Sequence, residues 1–210
     1  MQIALRLMIP QSKITAPVLE QELREIAGLT EEEINLYMSF LVRKSIAKKD
    51  HFLMAGEVST SVAYVNEGCL RRYILDNHSK ETILNFALED YWIGDLESLI
   101  TQKPTIYYVQ ALEDSELFLL SRKNLFRANE EIPKFKKFHD DKVQRNHYYS
   151  LKRLSIAKSA TPEEKYLSLI KEQPQLFQRI PQHYIASYLG IEPESLSRLR
   201  KRIVIKPHTS

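Results

Sequence analysis

Between His51 and Ser121 the apolar and aromatic residues occur in short runs, and turn-forming residues separate one run from the next. Runs of this length with regular turn signals are typical of the strands of an antiparallel barrel or sandwich. Gly56, Gly68 and Gly94 also fall in this region, where turns favour a residue without a Cβ. The predicted strands are 62–65, 70–75, 82–88, 105–112 and 117–120.

Apolar residues at helical spacing predict helices on both sides of the strand region. Thr30 and Glu33 have the spacing of a capping box, and the apolar positions behind them predict a helix over 30–43. Residues 122–158 contain one helix breaker, Pro133, and predict a helix of about 24 residues, ~36 Å long. Because such a helix projects beyond a small domain, we expect it to be a dimer seam or a connector. Its imperfect apolar stripe comprises Ile132, Phe135, Phe138, Val143, Tyr149, Leu151, Leu154 and Ile156.

A second capping box is formed by Thr161 and Glu164, with Pro162 at the first helical position. The helix that begins there is expected to end before Pro174, because proline cannot continue a helix. We therefore predict a domain boundary at residues 159–160.

Residues 181–203 have the pattern of a helix-turn-helix. Pro181 can open a first helix, Gly190 can end it in a left-handed conformation, and Pro193 can open a second helix. Ala186 is small enough to let the two helices cross closely. The side chains predicted to face inward are Tyr184, Ile185, Ala186, Leu189, Ile191, Leu196, Leu199 and Ile203.

Charge separates the two parts of the chain. Residues 1–130 hold 14 Lys and Arg against 19 Asp and Glu, whereas residues 131–210 hold 16 against 8. A basic segment joined to an acidic one indicates that the basic segment meets a polyanion, although a solvated lysine-rich helix gives the same balance.

The second predicted helix carries side chains suited to reading DNA. Arg198 can bind a guanine through two hydrogen bonds, and Glu194 can accept from a cytosine amino group. Ser195 and Ser197 lie on the same exposed face, and the remaining basic and amide side chains suit phosphates. A helical hairpin used for protein contacts alone remains an alternative. The full predicted DNA-binding set is Gln182, Glu194, Ser195, Ser197, Arg198, Arg200, Lys201 and Arg202.

Other kinds of chemistry find little support. Cys69 is the single cysteine, which excludes an internal disulfide and a four-thiolate iron–sulfur cluster. The six histidines have no metal-ligating spacing, and no catalytic serine elbow or phosphate-cradling Gly-Lys loop occurs. We expect neither an enzyme, a metal nor a cofactor. Without a membrane-length apolar run or a signal pattern in residues 1–16, the expected location is the cytoplasm, with no membrane partner.

The order of strand-rich region, long helix and helix-turn-helix resembles the Crp/Fnr superfamily of bacterial transcription regulators, over nearly the whole chain. Tyr91-Trp92-Ile93-Gly94-Asp95-Leu96-Glu97-Ser98 looks like the family's phosphate-binding cassette, and Gly56-Glu57, Glu67-Gly68 and residues 109–117 match nearby strand motifs. Leu196-Ser197-Arg198-Leu199-Arg200 resembles a branch found in Bacteroidetes-type bacteria.

This resemblance implies an α+β multidomain protein with three parts. They are an N-terminal antiparallel β jelly roll acting as a cyclic-nucleotide-binding-like sensor (1–130), a long dimerisation helix (131–158) and a C-terminal, winged helix-turn-helix DNA-binding domain (159–210). The implied partners are double-stranded DNA, a second copy of the chain held through residues 131–157, and RNA polymerase.

The cassette departs from the pattern of members that bind cyclic nucleotides. Their Gly-Glu pair is Gly94-Asp95 here, and their Arg-Ser/Thr-Ala triplet falls on Thr105-Ile106-Tyr107. Since a buried phosphate without a cation is costly, we predict that cyclic AMP does not bind tightly and leave the effector open. The residues of this degenerate pocket are Gly94, Asp95, Leu96, Glu97, Thr105 and Tyr107.

Two further departures concern the DNA-binding end. Pro193 replaces the family's usual first arginine, so the target sequence should differ from that of the best-known members. Residues 203–210 are too few for a full β-hairpin wing. Two other functions remain as alternatives: a cyclic-nucleotide-gated regulator despite the altered cassette, and a cupin-type jelly roll that binds a small molecule. The cupin type needs His/Glu metal ligands, and residues 52–120 contain only His78.

Overall fold

The computed structural model describes residues 14–205 of the 210-residue chain. Its strands fall where the apolar runs predicted them, with three additions: β1, β2 and the two-residue β6. Strand β4 has the predicted limits, whereas β7 is shorter than the predicted 105–112. The strands are β1 (Leu41–Ile46), β2 (His51–Leu53), β3 (Ser61–Glu67), β4 (Leu70–Leu75), β5 (Glu81–Ala87), β6 (Trp92–Ile93), β7 (Tyr108–Ala111) and β8 (Ser115–Ser121).

The strands form two antiparallel four-stranded sheets. Their orders are β1-β8-β3-β6 and β2-β7-β4-β5, so neighbouring strands other than β4 and β5 are not consecutive in the sequence, as in a jelly roll. Alternation along β3 shows how the sheets are filled: Ala63 and Val65 are buried in the cluster between the sheets, whereas Tyr64 packs with the helices. This confirms the predicted antiparallel β architecture and the α+β fold class.

The helices precede and follow the sheets. Those on the N-terminal side are α1 (Pro17–Glu25) and α2 (Glu31–Ser39), and α3 (Leu96–Thr101) lies between β6 and β7. The C-terminal ones are α4 (Arg122–Glu131), α5 (Pro133–Ser159), α6 (Pro162–Glu172), α7 (Leu176–Arg179), α8 (Gln182–Leu189) and α9 (Pro193–Ile205).

The capping box predicted at the start of α2 is confirmed, but the predicted helix over 30–43 is too long. Thr30 Oγ1 accepts from the Glu33 N–H, and a Glu33 carboxylate oxygen accepts from the Thr30 N–H. The helix ends at Ser39 because Leu41 and the residues after it pair with β8. Pairing with a neighbouring strand has overridden the local helical spacing.

The helix predicted over 122–158 is two helices. Ile132 separates α4 from α5, because Pro133 lacks the N–H that would continue the ladder. Helix α5 has 27 residues and is about 40 Å long at 1.5 Å per residue. Ile132, Phe135 and Phe138 are buried against α1, α2 and the sheet of β3 and β8. The side chains of Tyr149, Leu151, Leu154 and Ile156 lie outside the described residues.

A second apolar cluster joins helices α6 to α9. It contains Tyr166 and Leu169 of α6, Ile185 and Leu189 of α8, and Leu196 of α9. The predicted capping box of Thr161 and Glu164 opens α6, and the helix ends before Pro174 as expected. We call α6 to α9, residues 162–205, the C-terminal module. Cys69 and Leu88 of the strand region belong to the same cluster, so the module packs directly on the jelly roll.

Candidate nucleic-acid interface and ligand pocket

Helices α8 and α9 form the predicted helix-turn-helix. Gly190 ends α8 with φ at +71°, the left-handed conformation that favours glycine. The Ile191 N–H donates to the Ala186 carbonyl at 3.0 Å, which closes the end of the helix. Ala186 is fully buried, and Leu196 is 1% exposed, so the second helix approaches at the small residue as predicted.

The outer face of α9 is open to solvent. Glu194, Ser197, Arg198 and Lys201 are exposed, and they follow one another at helical spacing. The Arg198 guanidinium donates a hydrogen bond of 3.2 Å to Ser195 Oγ, one turn earlier on the helix. This contact orients the guanidinium along the helix without removing it from solvent.

The other residues predicted to contact DNA differ in how exposed their side chains are. Gln182 is exposed in the first turn of α8, whereas Ser195 and Arg200 are half-buried. Arg202 forms an ion pair with Glu163 of α6, so part of its charge is neutralised within the protein. Through residues 203–205 the chain continues as α9 rather than as a wing, and residues 206–210 lie outside the described residues.

The Asp95 carboxylate accepts hydrogen bonds from other residues of the cassette region. Its carboxylate is 6% exposed, and Oδ1 accepts from the Ser98 N–H at 3.1 Å, which caps α3. Oδ2 accepts from the Thr105 hydroxyl at 2.7 Å, and the Tyr107 N–H donates to the same hydroxyl oxygen at 3.1 Å. These three donors therefore bond to the chain itself. Gly94 is buried with them, whereas Leu96 packs toward the helices and Glu97 is exposed.

A guanidinium that the sequence did not assign to the pocket lies beside the cassette. Arg72 of β4 donates to the Gly94 carbonyl at 3.0 Å and to Asn85 Oδ1 at 2.9 Å. Its guanidinium carbon lies 4.9 Å from the centre of the Tyr107 ring. Strand alternation sends Arg71 and Arg72 to opposite sides of β4, and the neighbours on each side decide what each one contacts.

Arg71 points to the other side of β4 and is covered by the C-terminal module. It is 3% exposed, and it donates to Gln110 at 3.0 Å and to Glu81 of the neighbouring strand. Its guanidinium carbon lies 4.0 Å from the centre of the Tyr184 ring on α8. A cation pressed on an aromatic face is an attractive contact, so Arg71 links β4 to the first helix of the helix-turn-helix.

Further contacts fasten α8 to the edge of the jelly roll. Strand β5 is the edge strand of its sheet, and Ser187 Oγ accepts from the Ile83 N–H at 3.2 Å and donates to the Glu81 carbonyl at 3.0 Å. The Phe86 and Tyr188 rings are 5.5 Å apart. We call the contact of α8 with β4 and β5 the docking interface.

An ion cluster lies beside the docking interface. The Arg179 guanidinium, at the end of α7, donates at 2.7 Å to Glu89 and also pairs with Glu113, both in turns of the jelly roll. These hydrogen bonds from Arg179 lower the pKa of Glu89 to about 2, against the opposing effect of burial. Cys69 is 1% exposed nearby, and burial raises the pKa of its thiol to about 12.

The part of the chain that the structure describes holds neither a metal-binding cluster nor a membrane-spanning helix. No group of three or more His, Cys, Asp and Glu side chains among them could hold a metal ion. Within residues 14–205, no helix has the length and apolar character needed to cross a membrane.

The strand region is similar to a known domain family. Residues 43–131 match the family model of the cyclic nucleotide-binding domain. No curated protein matches the chain.

Solved structures share the fold over most of the chain. FixK2 from Bradyrhizobium japonicum is similar with a TM-score of 0.69 and 17% identity, over 78% of this chain and 84% of that one. The c-di-GMP responsive global regulator CLP of Xanthomonas campestris has a TM-score of 0.66 at 13% identity, over 83% and 92%. The Thermus thermophilus catabolite activator protein has a TM-score of 0.51 at 20% identity, over 84% of each chain.

These matches confirm the fold that the resemblance to Crp/Fnr regulators predicts. Residues 43–131 are similar to a cyclic nucleotide-binding domain, and the chain shares the fold of these solved structures. The Bacteroidetes-type branch is not confirmed.

Proposed function

We propose that this protein is a sequence-specific DNA-binding transcription regulator. The observation that carries the proposal is the exposed face of α9, where Glu194, Ser197 and Arg198 stand together on a helix whose opposite face is buried. A helix presented in this way by a helix-turn-helix fits the major groove, with its N-terminal residues on base edges. The fold of known transcription regulators supports this assignment.

The side chains of the module divide into two roles. Arg198 and Glu194 read bases, because a guanidinium matches the two acceptors of guanine and a carboxylate accepts from cytosine. Gln182, Arg200, Lys201 and Arg202 contact phosphates, which positions the protein without specifying sequence. The ion pair of Arg202 with Glu163 makes it the weakest of these phosphate contacts.

The regulator acts as a homodimer joined through residues 131–157. The first part of this range packs in the protomer's own core, so the seam uses positions further along α5, where Val143 is 39% exposed. Two-fold symmetry places the two α9 helices in successive major grooves, about 34–36 Å apart, on a pseudo-palindromic site. The two DNA-binding domains of the dimer, residues 159–210 of each chain, then bind DNA together. RNA polymerase is a further partner.

The sensor domain, residues 1–130, does not bind cyclic AMP tightly. Asp95 already occupies the Ser98 N–H and the Thr105 hydroxyl, and Arg72 is bonded to Gly94 and Asn85. A phosphate entering the cassette would have to replace these bonds and face the Asp95 carboxylate. Calorimetric titration with cyclic AMP is expected to give no sub-micromolar affinity.

A cyclic-nucleotide-gated regulator is the second candidate, because residues 43–131 match the cyclic nucleotide-binding domain. A sub-micromolar affinity in the same titration, together with tighter DNA binding when cyclic AMP is added, would establish it and contradict our reading of the cassette.

A salt titration tests DNA binding itself. The full-length protein is mixed with a labelled pool of random-sequence duplex DNA, and the bound fraction is measured from about 50 to 200 mM salt. Because phosphate contacts release counterions, log K should fall linearly with log salt. Absence of binding, or binding that salt does not weaken, would assign the helix-turn-helix to protein contacts instead.

A further inference from the structure

The two sides of the jelly roll differ in how their edge strands are closed. On one side Arg72 of β4 reaches Gly94 at the cassette, and β5 carries a bulge of one extra residue opposite this part of β4. On the other side Lys44 of β1 and Leu53 of β2 line a common pocket. Strands β1 and β2 are edge strands of their sheets, so this pocket lies at the side of the sandwich away from β5 and β6. We call it the β1–β2 pocket.

The β1–β2 pocket has the size and the walls of a small-molecule site. Its volume is about 520 Å³, within the range of about 300–1,000 Å³ that is typical of ligand pockets. Phe52, Leu53, Val58 and Leu119 supply its apolar walls. Leu53 belongs to the apolar cluster between the sheets, and Phe52 and Leu119 pack against that cluster. The pocket therefore leads from solvent toward the core.

The inward-facing side chains of β1 are left uncovered at this pocket. Val42 pairs with Leu119, and Lys44 pairs with Leu117, so each points to the same side as its partner, toward the space between the sheets. Leu117 is fully buried, whereas Val42 is 45% exposed and Lys44 is exposed. In a sandwich the inner face of one sheet is ordinarily covered by the other sheet. The exposure of Val42 shows that the facing sheet leaves this part of β1 open.

The Lys44 ammonium supplies the positive charge of the pocket. Its Nζ lies 5.7 Å from the centre of the Phe52 ring. Glu116 of the neighbouring strand pairs instead with Arg43, which points to the other face of β1. Among the side chains that the structure describes, no carboxylate forms an ion pair with Lys44. An anionic group of a ligand therefore finds an available cation on an apolar wall.

Glu57 limits how much negative charge the pocket accepts. It is exposed at the rim, and its Oε2 accepts from the Met54 N–H at 2.8 Å. The lining residues thus carry one positive and one negative charge. A single carboxylate pairs with Lys44, whereas a phosphate monoester would place further negative charge near Glu57.

An inward-pointing lysine on an edge strand has a second explanation, because such charges discourage pairing with another chain. That role needs the charge of Lys44 alone. It does not account for the apolar walls beside the ammonium or for a pocket of this volume.

We propose that the β1–β2 pocket binds a monocarboxylate with an apolar body. The carboxylate pairs with the Lys44 ammonium, and the apolar body packs against Phe52, Leu53 and Leu119. This site is separate from the cassette. The proposal does not rest on the proposed function, because it concerns a pocket within one protomer and no contact with DNA.

Calorimetric titration of the full-length protein tests the ligand class with three molecules that share one eight-carbon chain: octanoate, octan-1-ol and octylamine. At about pH 7 the carboxylate is ionised and the amine is protonated. An ion pair at a partly exposed site strengthens binding by up to about fivefold, so octanoate should bind about three- to fivefold more tightly than octan-1-ol. Octylamine should bind most weakly.

Variants then test the role of each charge. Lys44→Met removes the charge and keeps the length of the side chain, so it should weaken octanoate about three- to fivefold and change octan-1-ol less than about twofold. Lys44→Arg should restore most of the octanoate affinity. Glu57→Gln keeps an acceptor for the Met54 N–H and should bind octanoate at least as tightly as the wild type. The matched control is Lys48→Met, an exposed lysine just after β1, which should change octanoate affinity less than about twofold.

Two further measurements locate the bound molecule. Val58→Trp narrows the pocket and keeps Lys44, so it should weaken both octanoate and octan-1-ol, with thermal denaturation confirming that the variant folds. Amide chemical shifts of the wild type provide the location without any substitution: on addition of octanoate they should change at Phe52, Ser59 and Thr60, which line the pocket.

Each alternative has its own outcome. No octanoate binding, or octanoate affinity that Lys44→Met leaves unchanged, would overturn the proposal and leave Lys44 as protection of the edge strand. Equal affinity for octanoate and octan-1-ol, or tighter binding of octylamine that Glu57→Gln abolishes, would overturn the ligand class. A loss in Arg72→Met without a loss in Lys44→Met would place octanoate at the cassette. If the protein binds no DNA, the proposed function fails, and these titrations still decide the pocket.

Discussion

The Thr105 hydroxyl donates a 2.7 Å hydrogen bond to the Asp95 carboxylate, and both side chains are buried. Asp95 uses its other oxygen to cap α3, so the bond from Thr105 holds the strand leading to β7 against the start of this helix. The cassette is therefore a self-bonded structural element in this protein.

Thr105→Val should destabilise the fold because it leaves one carboxylate oxygen of Asp95 buried without its donor. Losing a hydrogen bond to a buried charged group costs about 1–3 kcal/mol in the free energy of unfolding. Urea denaturation measures this. The matched control is Thr101→Val, at the exposed end of α3, which should cost less than about 0.5 kcal/mol. Equal stability of the two variants would contradict the account.

Arg198→Ala and Lys201→Ala should have different effects on DNA binding. Removal of Arg198 should reduce discrimination at one base position by about 1–3 kcal/mol. Removal of Lys201 should weaken binding to all sequences alike and reduce the slope of log K against log salt by about 1. Competition with duplexes changed at single positions, at several salt concentrations, measures both.

Lys123→Ala, an exposed lysine of α4, is the control for these variants and should leave affinity and slope unchanged. If Lys201→Ala lost affinity only for sequences changed at one base position, Lys201 would read a base rather than contact phosphate. If Arg198→Ala kept the wild-type base preference, Arg198 would not read a base.

The ion cluster of Arg179 and Glu89 should contribute stability that depends on pH. The folded protein lowers the pKa of Glu89 from its ordinary value of 4.5 to about 2, mainly through hydrogen bonds from Arg179. A depressed pKa stabilises the fold above the unfolded value, and this stabilisation is lost as pH falls from about 4.5 toward 2. The difference in unfolding free energy between wild type and Glu89→Gln should therefore be present at pH 6 and shrink through that range.

Glu130→Gln, an exposed glutamate of α4, is the control and should show a smaller change over the same pH range. If the difference in unfolding free energy between wild type and Glu89→Gln stayed constant from pH 6 to pH 2, the stabilising contact of Arg179 with residue 89 would not depend on the charge of Glu89.

Gly68 should tolerate substitution worse than Gly56, although both have positive φ, at +107° and +92°. A Cβ at Gly68 would lie 2.8 Å from the Ser115 Cα, whereas a Cβ at Gly56 meets nothing within 4 Å. Gly56→Ala should cost about 1–2 kcal/mol from backbone strain alone. Gly68→Ala should cost about 2 kcal/mol more because the backbone must shift, and thermal denaturation of both variants checks the order.

Local signals were enough for much of the fold. The capping boxes at Thr30 and Thr161 and the left-handed Gly190 are set by residues near each other in the sequence, and all three were predicted. Leu41 was misassigned to a helix because its place is decided by pairing with Leu120, far along the chain. Helix α1 was not predicted at all.

The candidate sites divide in the same way. The exposed face of α9 follows from helical spacing, so the exposure of Glu194 and Arg198 was predicted from the sequence. The different surroundings of Arg71 and Arg72 depend on α8, Gly94 and the β5 bulge, which spacing within β4 does not encode. The docking interface was missed for the same reason, since Ser187 and Ile83 are 104 residues apart.

Selection from random duplex DNA with the purified full-length protein tests the central claim most directly. If paired α9 helices read DNA, the selected sequences contain two inverted half-sites with centres about 10 base pairs apart, and Arg198→Ala relaxes the same position in each half-site. Recovery of sequences without any common motif, or of a motif that Arg198→Ala leaves unchanged, would contradict it.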